Sequence, residues 1–471
     1  MRVLLVTGRL AEKLVRKYGE GADVLVVDID VAAFITPKHL EEVDLSRYDL
    51  VLVPGLTAGN DWRSLEKKKG VKIRLGPIHA YDLKRVLKFV GEVEFSHEIP
   101  ACRLINAAAI EEIRAEIERL EESCTFRLRD VAIGGDSRMK VVAEIARLSS
   151  VDEVERWIDR YADADVIDLG IPIEFDADFV NKAVKRLVDA SPKPVSVDTF
   201  SKKAIEIGVK HGVDMVMSLS SENFDAIELL EDQAVVVVSR NVAELKKLVE
   251  RAKKRAEKVI ADPILDAPLR TAESILRYVE YRKLDSETPL LFGVGNVTEL
   301  CDADSIGINA LLAFIAEEIG CNLLFTTEAS SKTVGSVREL KIATYLAKAA
   351  KLRNSPPKDA GFSLLVVKEK FRYPEPEAKV CVDAEESREF FRDPCGDFYI
   401  YIADGKIYCE HEKFVICGRR AKEILDTVLR HKLVSRLDHA AYLGRELMKA
   451  EIALRLGKNY VQDRDLDFGI Y

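Results

Sequence analysis

Strand-like and helix-like segments alternate along the middle of the chain, from about residue 125 to residue 352. Short runs of Val, Ile, Leu and Ala are separated by amphipathic segments whose apolar residues recur every three or four positions. The apolar runs are predicted as strands at 140–145, 164–170, 194–198, 213–220, 234–239, 258–262, 289–295 and 321–327. Eight parallel strands, each followed by a helix, predict a (β/α)₈ TIM barrel at 125–352. The stretch FRLRDVAIGG at its start is expected to plug one end of the barrel.

Residues 1–100 repeat this alternation on a smaller scale. Four apolar runs, RVLLVTG, ADVLVVDID, YDLVLVPG and VKIRLGP, are separated by helical patterns or turns. Continuous Val/Leu runs are typical of parallel strands that are covered on both faces. They predict a small doubly wound α/β domain of the Rossmann or flavodoxin-like kind. No GxGxxG motif follows the first strand, which argues against a dinucleotide site. The charged amphipathic segment 101–124 is predicted as a connector helix.

The spacing of hydrophobic positions along the chain changes after the predicted barrel. Residues 353–361 contain Pro and Gly and are predicted as a linker. In 362–471, the runs SLLVVKEK and KVCVDA are predicted as strands, and DFYIYIADGKIYCE as a hairpin that turns at Asp404 and Gly405. Two helical patterns follow. This part is therefore predicted as a small α+β domain.

The amino-acid composition argues against two functional classes, nucleic-acid-binding proteins and membrane-spanning proteins. The 471 residues include 71 Lys and Arg against 80 Asp and Glu, a net charge of −9, and 48% are hydrophobic. Such a composition is foldable and has no long basic run, so nucleic acid is not expected as a partner. No stretch approaches the roughly 20 apolar residues that a membrane span needs. We expect a cytoplasmic protein that does not bind a membrane.

Active sites of TIM barrels lie at the carboxyl ends of the strands. The candidate residues at these positions are Glu144, Asp168, Asp198, Ser218, Arg240, Asp262, Asp266, Asn296, Ser331 and Lys332. Carboxylates and hydroxyls dominate this set, and His211 is the only His between 125 and 350. A carboxylate can accept two parallel hydrogen bonds from the fused N–H and NH₂ edge of a pterin or guanine ring.

Asp198 and the loop after the last strand have simpler interpretations as well. Asp198 also stands in a good position to cap the helix that is predicted to start at Ser201. The loop TTEASSKTVGS, which contains Ser331 and Lys332, could hold an anion on its backbone N–H groups or could be an ordinary Ser-rich helix start.

Several segments, in the same order, resemble those of dihydropteroate synthase and the related pterin-binding methyltransferases. They are FRLRDVAIGGDS, ADVIDLG, PVSVDTFSKKAIEIGVKHGVDMVMSLS, VIADPILDA and LLFGVGNVTEL. The resemblance covers residues 126 to about 350. With its two outer domains, the whole chain resembles the archaeal dihydropteroate synthase-like proteins, which are associated with tetrahydromethanopterin, a folate analogue.

The resemblance implies roles for individual residues. Asp198 and Asp262 match the carboxylates that hold the pterin. Ser218 stands where the synthases place an Asn. Asn296 stands near their catalytic Lys, where the methyltransferases have an Asn. Glu144 stands near the first-strand Asn that serves the metal and pyrophosphate end. Asp198, Asp262 and Asn296 are therefore the expected catalytic residues, and Glu144 the expected metal ligand.

The departures from the synthases concern the groups that clamp pyrophosphate. The loop after strand two is IPIEF without Arg, the segment after strand seven is GNVTE without a cation, and strand eight ends in TTEAS without the Arg-x-His. A diphosphate leaving group would lose much of its electrostatic stabilisation without these groups. Arg240 and Lys332 are the expected substitutes.

Three hypotheses follow from the resemblance. The first is an enzyme of tetrahydromethanopterin biosynthesis. It would condense a hydroxymethyl-dihydropterin diphosphate with an arylamine of the ribofuranosylaminobenzene phosphate type, release pyrophosphate and use Mg²⁺. The second is a methyl- or C1-transfer protein that acts on a reduced methylated pterin together with a corrinoid protein. The third is a pterin-binding protein without catalysis. The family also implies a homodimer.

Overall fold

We describe a computed structural model of the chain, which covers residues 1–354, 356–358, 361–370, 381–386 and 389–469, without the side chains of 106–109. The structure divides into two compact units, Met1–Pro374 and Glu375–Tyr471. Within the described residues, no helix combines the length and apolarity that crossing a bilayer requires.

The first unit begins with a four-stranded parallel sheet in the order β2-β1-β3-β4. Its elements are β1 (Val3–Thr7), α1 (Glu12–Tyr18), β2 (Asp23–Val26), β3 (Leu50–Val53), α2 (Trp62–Lys69), β4 (Lys72–Leu75) and α3 (Leu83–Val86). Alternate residues of β1 and β3 enter two separate cores, one around Trp62 and one around Val15 and Leu83. Both faces of the sheet are thus covered, which confirms the doubly wound prediction.

A long helix and a hairpin come next: α4 (Ala101–Leu120), β5 (Phe126–Leu128) and β6 (Val131–Ile133). Leu128 and Ile133 of the hairpin are buried in one cluster with barrel residues such as Val142, Val166 and Ile260. The hairpin therefore fills the amino-terminal end of the barrel, as the sequence predicted.

The barrel itself consists of eight parallel strands in the order β12-β11-β10-β9-β8-β7-β14-β13, and a bridge between Ala261 and Leu290 closes it. The strands are β7 (Lys140–Ile145), β8 (Val166–Gly170), β9 (Val195–Asp198), β10 (Met215–Leu219), β11 (Ala234–Val238), β12 (Val259–Asp262), β13 (Leu291–Gly293) and β14 (Leu323–Thr327). The helices are α5 (Val154–Arg160), α6 (Ala177–Ala190), α7 (Lys202–Lys210), α8 (Val242–Ala252), α9 (Thr271–Leu284), α10 (Gly295–Thr298), α11 (Ser305–Ile319) and α12 (Ser336–Leu352). Every predicted barrel strand is present, which confirms the TIM barrel.

The second unit contains an antiparallel sheet and two helices: β15 (Phe398–Ala403), β16 (Lys406–His411), β17 (Val415–Gly418), α13 (Ala421–Arg430) and α14 (Leu437–Leu456). Asp404 and Gly405 both have positive φ and form the predicted hairpin turn. One face of the sheet packs against Ile424 and Leu447.

The strand predicted at SLLVVKEK is wrong, because residues 361–370 form no strand. Leu364 packs against the barrel core, whereas Leu365, Val366 and Val367 are more than half exposed. The run has a strand-like composition but no neighbouring strand to pair with. The strand predicted at KVCVDA lies partly outside the described residues, and its described part, 381–384, is irregular.

Candidate active site

The alternation of side chains along a strand brings four carboxylates into the barrel. Val142, Val166 and Ile260 belong to the interior core of the barrel. Glu144, Asp168 and Asp262 follow them by two positions on the same strands, so they point to the same side. Asp198 pairs in register with the interior residue Met217. The four carboxylates thus form the layer at the carboxyl end of the barrel, directly above its apolar core.

Three of these carboxylates are neighbours on adjacent strands. Glu144, Asp168 and Asp198 each present an oxygen that lies within 4.8 Å of the others. Asp168 is fully buried, and its Oδ1 accepts a hydrogen bond from Ser196 Oγ at 2.5 Å. Its Oδ2 is buried without any hydrogen-bond partner. In the described part of the chain, no Lys or Arg forms an ion pair with these three side chains.

Burial and mutual repulsion make this cluster hard to ionise. Burial raises the pKa of Glu144 to about 7, and the charges of Asp198 and Glu299 add to the effect. Burial also raises the pKa of Asp168, again with Asp198 and Glu144 contributing. For Asp198, burial raises the pKa and the hydrogen bond from Ser218 opposes it. Near neutral pH, the cluster therefore favours bound protons, a cation or a ligand that donates hydrogen bonds.

Asp262 is held separately, at the end of β12. Its Oδ1 accepts hydrogen bonds from the Tyr278 hydroxyl at 2.6 Å and from the Ile264 N–H at 2.7 Å. Burial raises the pKa of Asp262 to about 6, although these two donors lower it. The described hydrogen bonds of this carboxylate all end on Oδ1, so Oδ2 is available to a ligand.

Strained backbone supports both Asp198 and Asp262. Ser218, whose hydroxyl donates to Asp198 Oδ1, has φ +66° and lies where the pairing of β10 with β11 is irregular. Ile264, whose N–H donates to Asp262, has φ +68°, which is rare for a β-branched residue. Such conformations cost about 1–3 kcal/mol each and cluster at functional sites.

Gly170, at the end of β8, leaves the space that Glu144 occupies. A Cβ added at Gly170 would overlap Glu144 Oε1. Any side chain at this position would force the Glu144 carboxylate to move from its place in the cluster.

The substitution Gly170→Ala is accordingly expected to displace the Glu144 carboxylate and to lower the free energy of unfolding by about 1 kcal/mol, the low end of the cost of overpacking, because the atom that must move is the end of a flexible side chain. The matched control is Gly307→Ala within α11, where an added Cβ meets no atom within 4 Å. This control should be neutral or stabilise by up to about 1 kcal/mol, because Ala favours helices. Urea unfolding of both variants measures the difference. Equal stabilities would show that Glu144 is not confined as described.

A cavity of about 610 Å³ opens beside Glu144 and Asp198. Its walls are largely apolar and include Leu148, Ile171, Phe175, Phe179 and Phe200. Its size and lining are typical of a site for a small organic molecule. The cavity lies between the loops that follow β7, β8 and β9, so any molecule bound there has two carboxylates at one end.

The other predicted residues lie on the surrounding loops. Asp266 pairs with Arg240 at 3.0 Å and with Arg277 at 2.8 Å. The Asn296 amide donates to the carbonyl of Leu265 at 2.8 Å. Lys332 pairs with Asp302 at 2.9 Å, and Ser331 beside it is exposed. The structure thus brings Ser218 and the four carboxylates together, whereas these loop residues already have partners within the protein or face solvent.

Both simpler alternatives can be judged from the hydrogen bonds. Asp198 does not cap α7, because its described hydrogen bond comes from Ser218 and the N-cap is Ser201. At the start of α12, Glu328 Oε1 accepts from the Val337 N–H at 3.2 Å. A carboxylate of the protein therefore already occupies this helix start, which favours the ordinary helix start over the anion site.

Sequence reasoning named Ser218 but missed two other residues that position the carboxylates, Ser196 and Tyr278. Ser196 precedes Asp198 by two positions, so strand alternation would have found it. Tyr278 comes from α9, and only the packing of that helix against β12 and β13 reveals its contact with Asp262.

Comparison with known proteins identifies relatives of the whole chain and of parts of it. The uncharacterized protein MJ0107 of Methanocaldococcus jannaschii is 38% identical, over 99% of each protein. The family model PterinBD-DUF4346 matches residues 392–463. A Ycf91-like protein of Nostoc sp. is 50% identical over 52 residues, which are 10% of this chain and 41% of that protein. Dihydropteroate synthase of Yersinia pestis, solved with a pterine-sulfa conjugate, aligns with a TM-score of 0.38 and 17% identity, over 46% of this chain and 95% of that one.

Proposed function

The chain belongs to the same family as the M. jannaschii protein and the PterinBD-DUF4346 model matches its residues 392–463, and on this premise we propose that it is a dihydropteroate synthase-like, pterin-dependent transferase. The proposed reaction is the condensation of a hydroxymethyl-dihydropterin diphosphate with an arylamine in the tetrahydromethanopterin pathway. The observation that carries the proposal is the pair of interior carboxylates, Asp198 and Asp262, which have hydrogen-bonded positioning groups but no cation partner.

In this proposal the pterin ring lies in the barrel mouth with its N–H and NH₂ edge on these carboxylates. The described contacts of Asp198 and Asp262 occupy Oδ1 and leave the second oxygen of each for the ring. Tyr278 and Ser218 hold the two carboxylates in fixed orientations, which lowers the entropy lost on binding. The apolar cavity beside Asp198 accommodates the aromatic ring of the amine.

The chemical step is a displacement at the exocyclic CH₂ of the pterin. The amine nitrogen forms a bond to this carbon, the bond from carbon to the diphosphate oxygen breaks, and its electron pair leaves with pyrophosphate. The amine then loses a proton. When bound, a Mg²⁺ ion would offset the charge of the leaving diphosphate, and Glu144 is the ligand that the resemblance implies. The oxygen-only cluster around Glu144 fits such an ion.

A specific observation favours a second candidate, methyl or C1 transfer on a reduced pterin. The cations expected to replace the missing pyrophosphate clamp are both paired with carboxylates, Arg240 with Asp266 and Lys332 with Asp302. They would have to leave these partners to bind a diphosphate, whereas a methylated pterin needs no such clamp. A corrinoid protein would then be the partner. Without either chemistry, the chain would be a pterin carrier.

Pyrophosphate release separates these candidates. The purified full chain is incubated with the pterin diphosphate, Mg²⁺ and either 4-aminobenzoate or a ribosylated aminobenzene phosphate, and pyrophosphate is measured by a coupled assay. Release that requires the arylamine and is lost in Asp262→Asn supports the synthase. Pterin binding without release would overturn the synthase and leave C1 transfer or a carrier, which methyl transfer to a corrinoid distinguishes.

A further inference from the structure

We infer that Glu144, Asp168 and Asp198 form a divalent-cation site that binds Mg²⁺ or Mn²⁺ without a phosphate group from any substrate. This site goes beyond the proposed reaction. The three side chains come together in the protein itself, so neither pterin nor diphosphate has to be bound for the cation to bind. The site also extends the expected single ligand, Glu144, to a set of three.

The fold brings the three carboxylates within reach of one ion. The three residues lie on adjacent strands, with Glu144 opposite Asp168 and Gly170 opposite Asp198 in the parallel register. Their oxygens lie within 4.8 Å of one another. Ligand oxygens at about 2.1 Å from Mg²⁺ are separated by about 3–4 Å, so small side-chain movements bring these oxygens into coordination distance.

One oxygen of Asp168 has no partner within the described residues. This side chain is 0% exposed, and Oδ2 has no hydrogen-bond donor, while Oδ1 is held by Ser196. A buried carboxylate oxygen without a partner is unfavourable, because it has lost its hydration and gained no hydrogen bond in return. A cation between the three carboxylates supplies the missing partner.

The surroundings fit a metal site as well. The hydroxyl groups of Ser196 and Ser218 each donate a hydrogen bond to one carboxylate. Hydrogen bonds of this kind, from residues behind the ligands, orient the ligands in metal sites. Gly170 leaves room for Glu144. The cavity beside Glu144 and Asp198 provides access for the ion and space for its remaining water ligands.

The nature of the ligands selects the ion. All three are carboxylates, and no His or Cys joins the group among the described residues. Oxygen-only sites suit hard cations such as Mg²⁺, Mn²⁺ and Ca²⁺ rather than Zn²⁺ or copper.

Asp198 is common to this site and to the proposed pterin site, whereas Asp168 and Asp262 each belong to one of them. Substitution of Asp168 should therefore weaken only the binding of the cation, and substitution of Asp262 only the binding of the pterin. Substitution of Asp198 should weaken the binding of both. This pattern separates failure of the cation site from failure of the proposed function.

The test is a titration of the EDTA-treated full chain with Mn²⁺ in a buffer free of phosphate and pterin, followed by electron paramagnetic resonance of free Mn²⁺. One tight Mn²⁺ per chain is expected, with affinity at least tenfold lower in Asp168→Asn. The control Asp232→Asn removes the same charge from an exposed site before β11 and should bind normally.

Glu144→Gln serves as a second variant, and circular dichroism verifies that each variant is folded. Mn²⁺ should also raise the melting temperature of the wild type but not of the two site variants. Absence of Mn²⁺ binding to the wild type, or unchanged binding in both folded site variants, would overturn the inference.

Discussion

Replacing Asp165 by Asn is expected to lower the free energy of unfolding of the barrel by about 3–5 kcal/mol, the range found when one partner of a buried ion pair is removed. Asp165 precedes β8 at the amino-terminal rim, where its Oδ1 accepts from Arg138 at 2.7 Å and from Lys341 at 2.6 Å. The Arg138 side chain is only 5% exposed. Asn retains the shape of Asp but leaves two cations without their counter-charge, so the cost should be large.

The control for this prediction is Asp225→Asn, which breaks an exposed pair with Lys202. Exposed pairs contribute about 0–1 kcal/mol, so this variant should unfold almost like the wild type. Urea unfolding at pH 7 followed by circular dichroism gives both differences. A loss for Asp165→Asn no larger than that for Asp225→Asn would contradict the role assigned to the buried network.

The buried ion pairs of Asp165 with Arg138 and Lys341 also predict that the stability of the barrel depends on pH. Burial disfavours the ionised form of Asp165, but the charges of Arg138 and Lys341 outweigh it and hold the pKa of Asp165 well below its usual value. A lowered pKa in the folded state gives stability that is fully present above the unfolded pKa of about 4 and is lost as the pH falls further. Between pH 5 and pH 3, the wild type should therefore lose stability more steeply than Asp165→Asn.

The second large effect is expected at Asp262. The substitution Asp262→Asn should weaken the binding of a reduced pterin by about 10- to 100-fold, because hydrogen bonds to a charged group contribute about 1.5–3 kcal/mol. Asn can accept only through its single oxygen, and its NH₂ group would face the donors of the ring. Titration of the pterin fluorescence measures the affinity.

Asp232→Asn is again the matched control, since it changes the same charge at the other end of the barrel and should leave pterin affinity unchanged. Equal affinities of Asp262→Asn and the wild type would show that the ring does not contact this carboxylate.

The barrel could be predicted from the sequence because nearly all of its strands are buried on both faces and each is followed by a helix of regular period. The inward carboxylates could be predicted as well, since Glu144, Asp168, Asp198 and Asp262 all stand at strand ends. The prediction of a strand at SLLVVKEK was wrong because strand propensity is a property of the local sequence, whereas a strand also needs a neighbouring strand to pair with.

Other features of the site depend on tertiary packing and leave no local signal. The left-handed conformation of Ser218 and the contact of Tyr278 with Asp262 appear only in the folded chain. The pairing of Asp266 with Arg277 likewise depends on how α9 packs beside the loop after β12. Such contacts decide which of the polar residues at the barrel mouth remain available to a ligand.

In the proposed function, the barrel mouth binds a reduced pterin on its interior carboxylates. This binding can be measured by calorimetric titration of the purified full chain with a dihydropterin, its hydroxymethyl diphosphate and tetrahydromethanopterin, each with and without Mg²⁺. We expect one pterin site per chain, with weaker binding in both Asp198→Asn and Asp262→Asn. Absence of binding of every pterin by the folded wild type would contradict this expectation.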